Sequence, residues 1–179
     1  MAKIWLNAQT WAVLSGMAPA QRAHQAMDSV RRYLNTPLGI KKIDPAMADY
    51  PTPEDPLTYY NKGCGENGSV FCHANAWAVI AECLLGRGER AWEYYSQLLP
   101  MNAQAKAGEW RYKAEPYVYS SNIFGPESDK FGLANVSWLT GTAAWMYVAF
   151  TQYLLGVKPV WGGLSIEPCL PPQWESIEI

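Results

Sequence analysis

Apolar positions recur at helical spacing over Trp5–Ser15, where Gly16 closes the run, and again from Pro19 through Ala26 and Val30 to about Leu34. The short gap between the two runs predicts a helical hairpin. From Asn35 to Gly68 the periodicity is lost, and Pro37, Pro45, Pro51, Pro53 and Pro56 keep the stretch irregular. A connection of this length inside a compact domain is usually functional. Helical patterning resumes over about Val70–Leu85, stopped by Gly86, and over about Glu89–Leu99, stopped by Pro100. A shorter helix is expected after Pro116, and a long one from about Ala143 to Leu155 with Gly156 as its stop. Beyond it, Leu164-Ser-Ile-Glu-Pro168 and Ser176-Ile-Glu-Ile179 alternate as strands do, with Pro171-Pro172 between them.

This is the pattern of a mainly α chain that gives way to a β segment near residue 160. Helices paired by alternately short and long loops suit a barrel of helical hairpins, and those present supply about half of a closed double ring. The sequence opens on a helix and ends within a strand pattern, so a truncated domain is expected. Its exposed apolar faces call for the remainder of the domain or a homo-oligomer.

Composition narrows the class. Of 179 residues 49% are apolar and 17% charged, which excludes a disordered chain, and a net charge of −2 offers no basic field for nucleic acid or an acidic membrane. No apolar run reaches the roughly 18–20 residues of a membrane span, and the N-terminus lacks a signal pattern. Cys64, Cys72, Cys83 and Cys169 show neither the spacing of a zinc site nor the density of a disulfide scaffold. A cytoplasmic protein with no metal is the expectation. Nine Trp and eleven Tyr are many for so short a chain. Their flat apolar faces suit the C–H faces of sugars, although most aromatics pack a core.

Polar chemistry concentrates in Lys62-Gly-Cys-Gly-Glu-Asn-Gly-Ser-Val-Phe-Cys-His-Ala-Asn-Ala-Trp77. Its glycines let backbone approach a ligand around Glu66, and His73 falls in the first turn of the following helix. A satisfied structural histidine is the competing reading. A second cluster, Ser137-Trp-Leu-Thr-Gly-Thr-Ala-Ala-Trp145, leads into the last long helix. Thr140 and Thr142 flank Gly141, and free amides at a helix start favour an anion, while N-capping by either threonine is the plainer alternative. The third stretch, Lys113-Ala-Glu-Pro-Tyr-Val-Tyr119, offers Glu115 and Tyr117 as sugar contacts, with helix initiation by Pro116 as the simpler account.

Taken together, Glu66-Asn-Gly-Ser-Val-Phe-Cys-His73, Ala114-Glu-Pro-Tyr-Val-Tyr119, Trp138-Leu-Thr-Gly-Thr-Ala-Ala-Trp145, Leu154-Leu-Gly-Val-Lys-Pro159 and Ile166-Glu-Pro-Cys-Leu-Pro171 resemble glycoside hydrolase family ninety-four, as does the opening Leu6-Asn-Ala-Gln-Thr-Trp-Ala-Val-Leu-Ser-Gly16. The family holds inverting phosphorylases of the cellobiose, cellodextrin, chitobiose and cellobionic acid type. The resemblance implies an (α/α)6 barrel, its C-terminal half over residues 1–160 and the start of a C-terminal β domain over 161–179. It implies a disaccharide and inorganic phosphate as substrates, with no cofactor. Phosphate would bind at His73, Thr140 and Gly141, and the donor-side sugar at Glu66. No catalytic residue is expected in this chain, because the family's general acid lies in an Asp-Trp-Asn-Asp type motif upstream, and the chain contains no such motif. Gly65 stands where cellobiose phosphorylases usually have Lys, and Ser121 where they have Gln. Lys62 with the Gly-Cys-Gly-Glu form resembles the cellobionic acid enzymes, which use cationic side chains to hold gluconate. Glucose and gluconate acceptors both remain open, and a non-catalytic sugar-binding fragment is the alternative of another class.

Overall fold

The computed structural model describes residues 3–47 and 60–178. The prolines at 51, 53 and 56 and the final Ile179 lie outside them. Of the helices, α1 (Leu6–Leu14) and α2 (Ala20–Tyr33) form the expected hairpin. Then α3 (Cys72–Leu84) and α4 (Gly88–Leu98) form a second, joined by a turn in which the Gly86 amide bonds the Cys83 carbonyl. α3 is the central element and packs against both α1 and α4. Its alanines at 74, 76, 78 and 81 are all buried, so neighbours approach its backbone from several sides, as suits a helix with little polar surface. α2 and α4 bury a single stripe each: Ala23, Met27 and Val30 on one, Ala91, Tyr94 and Leu98 on the other.

The buried Glu82 of α3 is flanked by Arg87 at 3.5 Å and Arg90 at 3.6 Å, and both arginines also reach Asp28 of α2, at 2.9 and 2.7 Å. A buried carboxylate persists only with such partners. Burial still raises the Glu82 pKa, against the pull of Arg90 and Arg87.

Pro100 does not merely stop α4; it opens α5 (Pro100–Ala107), followed by the single turn α6 (Glu109–Tyr112). Proline suits a first helical turn because its missing N–H has no intrahelical partner to lose. No helix starts at Pro116, which sits in a turn closed by the Val118 amide on the Glu115 carbonyl and leads to irregular chain before Ser120. The last long helix divides into α7 (Thr142–Val148) and a π-helical segment, Ala149–Leu154; α7 packs on α3.

The irregular stretch is pinned by short strands. β1 (Ile4–Trp5) pairs with β4 (Ile43–Asp44), and β2 (Asn35–Thr36) with β3 (Gly39–Ile40). The fully buried Asn75 of α3 accepts from the Ile40 amide at 2.7 Å and donates to the Ile40 and Phe71 carbonyls at 3.0 and 2.9 Å. β5 (Val70–Phe71), β6 (Ser120–Ile123) and β7 (Ala134–Ser137) form an antiparallel sheet at the N-terminal end of α3. The chain then returns as the hairpin β8 (Val157–Val160) and β9 (Gly163–Ile166), so residue 160 falls inside a hairpin. Among the described residues no strand forms after Ile166; the expected alternation from Ser176 is irregular up to Glu178. The fold is mainly α with small sheets. Among the described residues no helix is long and apolar enough to cross a membrane.

Candidate active site

β5 delivers the chain directly into α3, which puts His73 in that helix's first turn, one residue beyond the buried Cys72. Aromatic rings surround the imidazole. Its centroid lies 5.8 Å from Phe71, stacked, 5.0 Å from Trp77 and 5.9 Å from Trp145, and Trp77 in turn meets Trp11 edge-on at 5.3 Å. Burial holds the His73 pKa below its ordinary value, which favours a neutral ring. Nε2 is buried without a hydrogen-bond partner among the described residues. A buried imidazole nitrogen left unpaired costs stability, and its usual explanation is a ligand or water that completes it.

The Thr140-Gly141-Thr142 segment lies directly against this ring. A Cβ built on Gly141 would come within 3.0 Å of His73 Cε1 and 3.1 Å of Nδ1, so a side chain there would press the ring and the loop apart. Gly141 is the N-cap of α7 and no side chain caps the helix. The threonines satisfy one another instead: their hydroxyls are 2.7 Å apart, and Thr140 Oγ1 accepts the Thr142 amide at 3.2 Å. Thr142 is fully buried, whereas Thr140 is partly open.

The approach to this segment is conformationally unusual. Val136 and Trp138 adopt left-handed backbone, at φ 55° and 71°, which is costly for a β-branched residue. Trp138 Nε1 donates to Glu115 Oε1 at 3.1 Å. The Glu115 carboxyl is held below its usual range first by its own backbone amide and then by this indole. Glu115 therefore secures the threonine segment from outside, while Tyr117 points to solvent.

Glu66 sits in a tight loop between Gly65 and Gly68, both at positive φ, at 45° and 97°. The loop closes on itself through the Asn67 amide to the Cys64 carbonyl at 2.8 Å and Ser69 Oγ to the Gly65 carbonyl at 2.6 Å. Asn67 is structural: it accepts from the Met47 amide at 2.6 Å and donates to the Tyr60 carbonyl at 2.9 Å. The Glu66 carboxylate is ion-paired with Lys42, whose ammonium also lies 4.6 Å over the Phe71 ring. One line of contacts thus runs from Glu66 through Lys42, Phe71 and His73 to Gly141.

The family profile described as "Glycosyl hydrolase 94 superfamily, catalytic domain" matches residues 1–156. The chain belongs to the glycosyl hydrolase 94 superfamily. The N,N'-diacetylchitobiose phosphorylase of Vibrio proteolyticus is 42% identical to it over 180 residues, covering 99% of this chain and 22% of that protein. The solabiose phosphorylase of Paenibacillus borealis is 38% identical over 172 residues, covering 96% and 22%. The cellobionic acid phosphorylase of Neurospora crassa is 27% identical over 182 residues, covering 99% and 23%. The chain spans about a fifth of the length of these relatives.

In this glycosyl hydrolase 94 chain, His73 and Gly141 are in contact, with Thr140 beside them, and Glu66 connects to them through Lys42 and Phe71. Lys62 is half-buried in the turn preceding Glu66. Sequence reasoning missed Lys42, whose partner is 24 residues away, and the rings of Trp11, Trp77 and Trp145. The aromatic surplus and the quoted motifs that contain Trp11, Trp77 and Trp145 were the signals for the rings, and Lys42 had none.

Proposed function

We propose that the chain supplies the phosphate-binding side and part of the donor-sugar side of an inverting disaccharide phosphorylase. The contact between Gly141 and the His73 ring, with Nε2 of that ring buried and unpaired, carries this reading. Phosphate held at His73, Thr140 and Gly141 would attack the anomeric carbon as the glycosidic C–O bond breaks, giving a sugar 1-phosphate of inverted configuration. Phosphate replaces the water of an inverting glycosidase and needs no general base. The leaving oxygen takes its proton from an acid outside this chain. Glu66 accepts hydrogen bonds from hydroxyls of the donor sugar, and the Trp77 and Trp145 faces exclude water from phosphate.

The helices fit the C-terminal half of an (α/α)6 barrel over residues 1–160, with α1, α3 and α7 as neighbouring inner helices and α2 and α4 behind them, and with the hairpin leading into a β domain over 161–179. Disaccharide and phosphate are the partners, with the rest of the catalytic domain or a second copy covering the exposed apolar faces, in the cytoplasm and without a cofactor. Cellobiose and cellobionic acid, the latter with Lys62 facing the gluconate carboxylate, stand beside the N,N'-diacetylchitobiose named for the Vibrio relatives. The test is to incubate the intact protein with phosphate and each of the three disaccharides and to resolve the sugar 1-phosphates. One of them should yield an α-configured product. Binding of a disaccharide with no product from any would favour the non-catalytic sugar-binding alternative.

A further inference from the structure

Lys42 is one of two consecutive lysines whose side chains are directed to different partners. Lys41 reaches Asp44 at 2.6 Å and also Glu127, while Lys42 reaches Glu66. The main chain fixes Lys42 from both directions: its amide donates to the Ser69 carbonyl at 2.8 Å, and its carbonyl accepts the Leu6 amide, at the start of α1, at 2.9 Å. The Lys42 backbone is therefore anchored to the first helix and the glycine loop at once. The Lys42 side chain is only 11% exposed, against 43% for Glu66. A desolvated ammonium is costly without compensation, and here it has one carboxylate and one ring face. Lys42 engages Glu66 through Oε2 and leaves the carboxylate open towards solvent.

We propose that Lys42 is the positioning residue of the donor-sugar subsite: it fixes the Glu66 carboxylate in one orientation for a sugar hydroxyl, while its charge on Phe71 seats that ring against His73. The proposal rests on the reading of Glu66 as a sugar contact. An exposed carboxylate on a glycine loop would otherwise sample several rotamers, and ordering it at binding would cost affinity. The buried cation does that ordering beforehand. It also makes the sugar and phosphate subsites adjacent parts of one stacked array.

The experiment uses the intact phosphorylase with Lys42→Met, Lys42→Arg, Glu66→Gln and the Lys42→Met/Glu66→Gln double variant. Initial rates are measured with N,N'-diacetylchitobiose, cellobiose and cellobionic acid, varying disaccharide and inorganic phosphate separately. Hydrogen bonds to charged groups of this kind correspond to losses on the order of 10- to 100-fold. Lys42→Met should lower kcat/KM for the disaccharide by that factor and move the phosphate KM about 3-fold at most. Lys42→Arg should recover most of the loss, and the double variant should be no worse than the poorer single one. The loss in Lys42→Met should be confined to the disaccharide, and it should vanish in the Glu66→Gln background, where Lys42→Met adds nothing further. General structural damage would not spare the phosphate KM or be rescued by arginine. If Glu66→Gln is impaired and Lys42→Met is within 2-fold of wild type, Lys42 does not position it and the proposal falls, with Glu66 retained as a sugar contact. A silent Glu66→Gln would overturn the sugar reading of Glu66 and the proposal with it. If Lys42→Met does not fold, full disaccharide kcat/KM in Lys42→Gln would equally refute it.

Discussion

Gly141→Ala isolates the contact on which the phosphate reading depends. The backbone there, φ −78° and ψ 3°, is open to alanine, so the substitution acts through space and not through strain. The new methyl would sit 3.0 Å from His73 Cε1, tighter than carbon atoms normally pack, so the ring or the loop must give by a few tenths of an ångström. The ring has little room, with Phe71, Trp77 and Trp145 around it. Overpacking of this kind costs about 1–3 kcal/mol of stability. A misplacement of about 1 Å can cost on the order of 100-fold in rate, so a shift of a few tenths should lower phosphate kcat/KM by roughly 3- to 10-fold while the disaccharide KM changes little. The assay is steady-state phosphorolysis with phosphate varied at saturating disaccharide, alongside thermal unfolding. Gly163→Ala is the control, since a Cβ there meets nothing within 4 Å. A Gly141→Ala enzyme with wild-type phosphate dependence would remove the His73–Gly141 contact from the phosphate site.

Three further outcomes are expected. Because burial lowers the folded His73 pKa below its ordinary 6.5, the unfolded chain binds the extra proton first as pH falls, so stability should decline below about pH 6.5. His73→Gln should flatten that decline in melting temperature measured across pH, and an unchanged slope would mean that His73 is not the group responsible. Asn75→Ala leaves the Ile40 amide and two carbonyls without their partner, so denaturant titration should show a loss of about 2–4 kcal/mol; less than about 1 kcal/mol would mean water replaces the side chain. The 179-residue chain alone should release no sugar 1-phosphate from the three disaccharides, since a positioned acid contributes a factor of about 10²–10⁴; turnover comparable to an intact phosphorylase would place the acid within it.

The helical pairs were legible because their stops are local: Gly16 and Gly86 each end a largely apolar run. Pro100 was ambiguous, since proline both follows one helix and opens another, and only packing against α4 resolves it. Of the strands, β9 alone left a periodic trace, in the Leu164-Ser165-Ile166 alternation. β1 to β4 are two residues each, and β6 reads Ser-Ser-Asn-Ile, polar because its backbone pairing and not its side chains holds it in place. At the site, His73 and Gly141 stood out through motif resemblance, yet their contact joins residues 68 positions apart and no window of sequence contains it. Lys42 was invisible for the same reason.

The double attachment of Asn75 also bears on redesign of substrate preference. One amide side chain ties β3 to α3, the glycine loop reaches Lys42 through the Ser69 carbonyl, and Asn67 bonds both Met47 and Tyr60. The two flanks of this stretch and the first turn of the helix are therefore a single exchangeable cassette. Transplanting the glycine loop alone from a relative with another acceptor would carry Glu66 without the lysine that orients it. A chimaera that moves residues 35–75 as a block keeps those bonds internal, and its junctions fall at the end of α2 and within the first turn of α3.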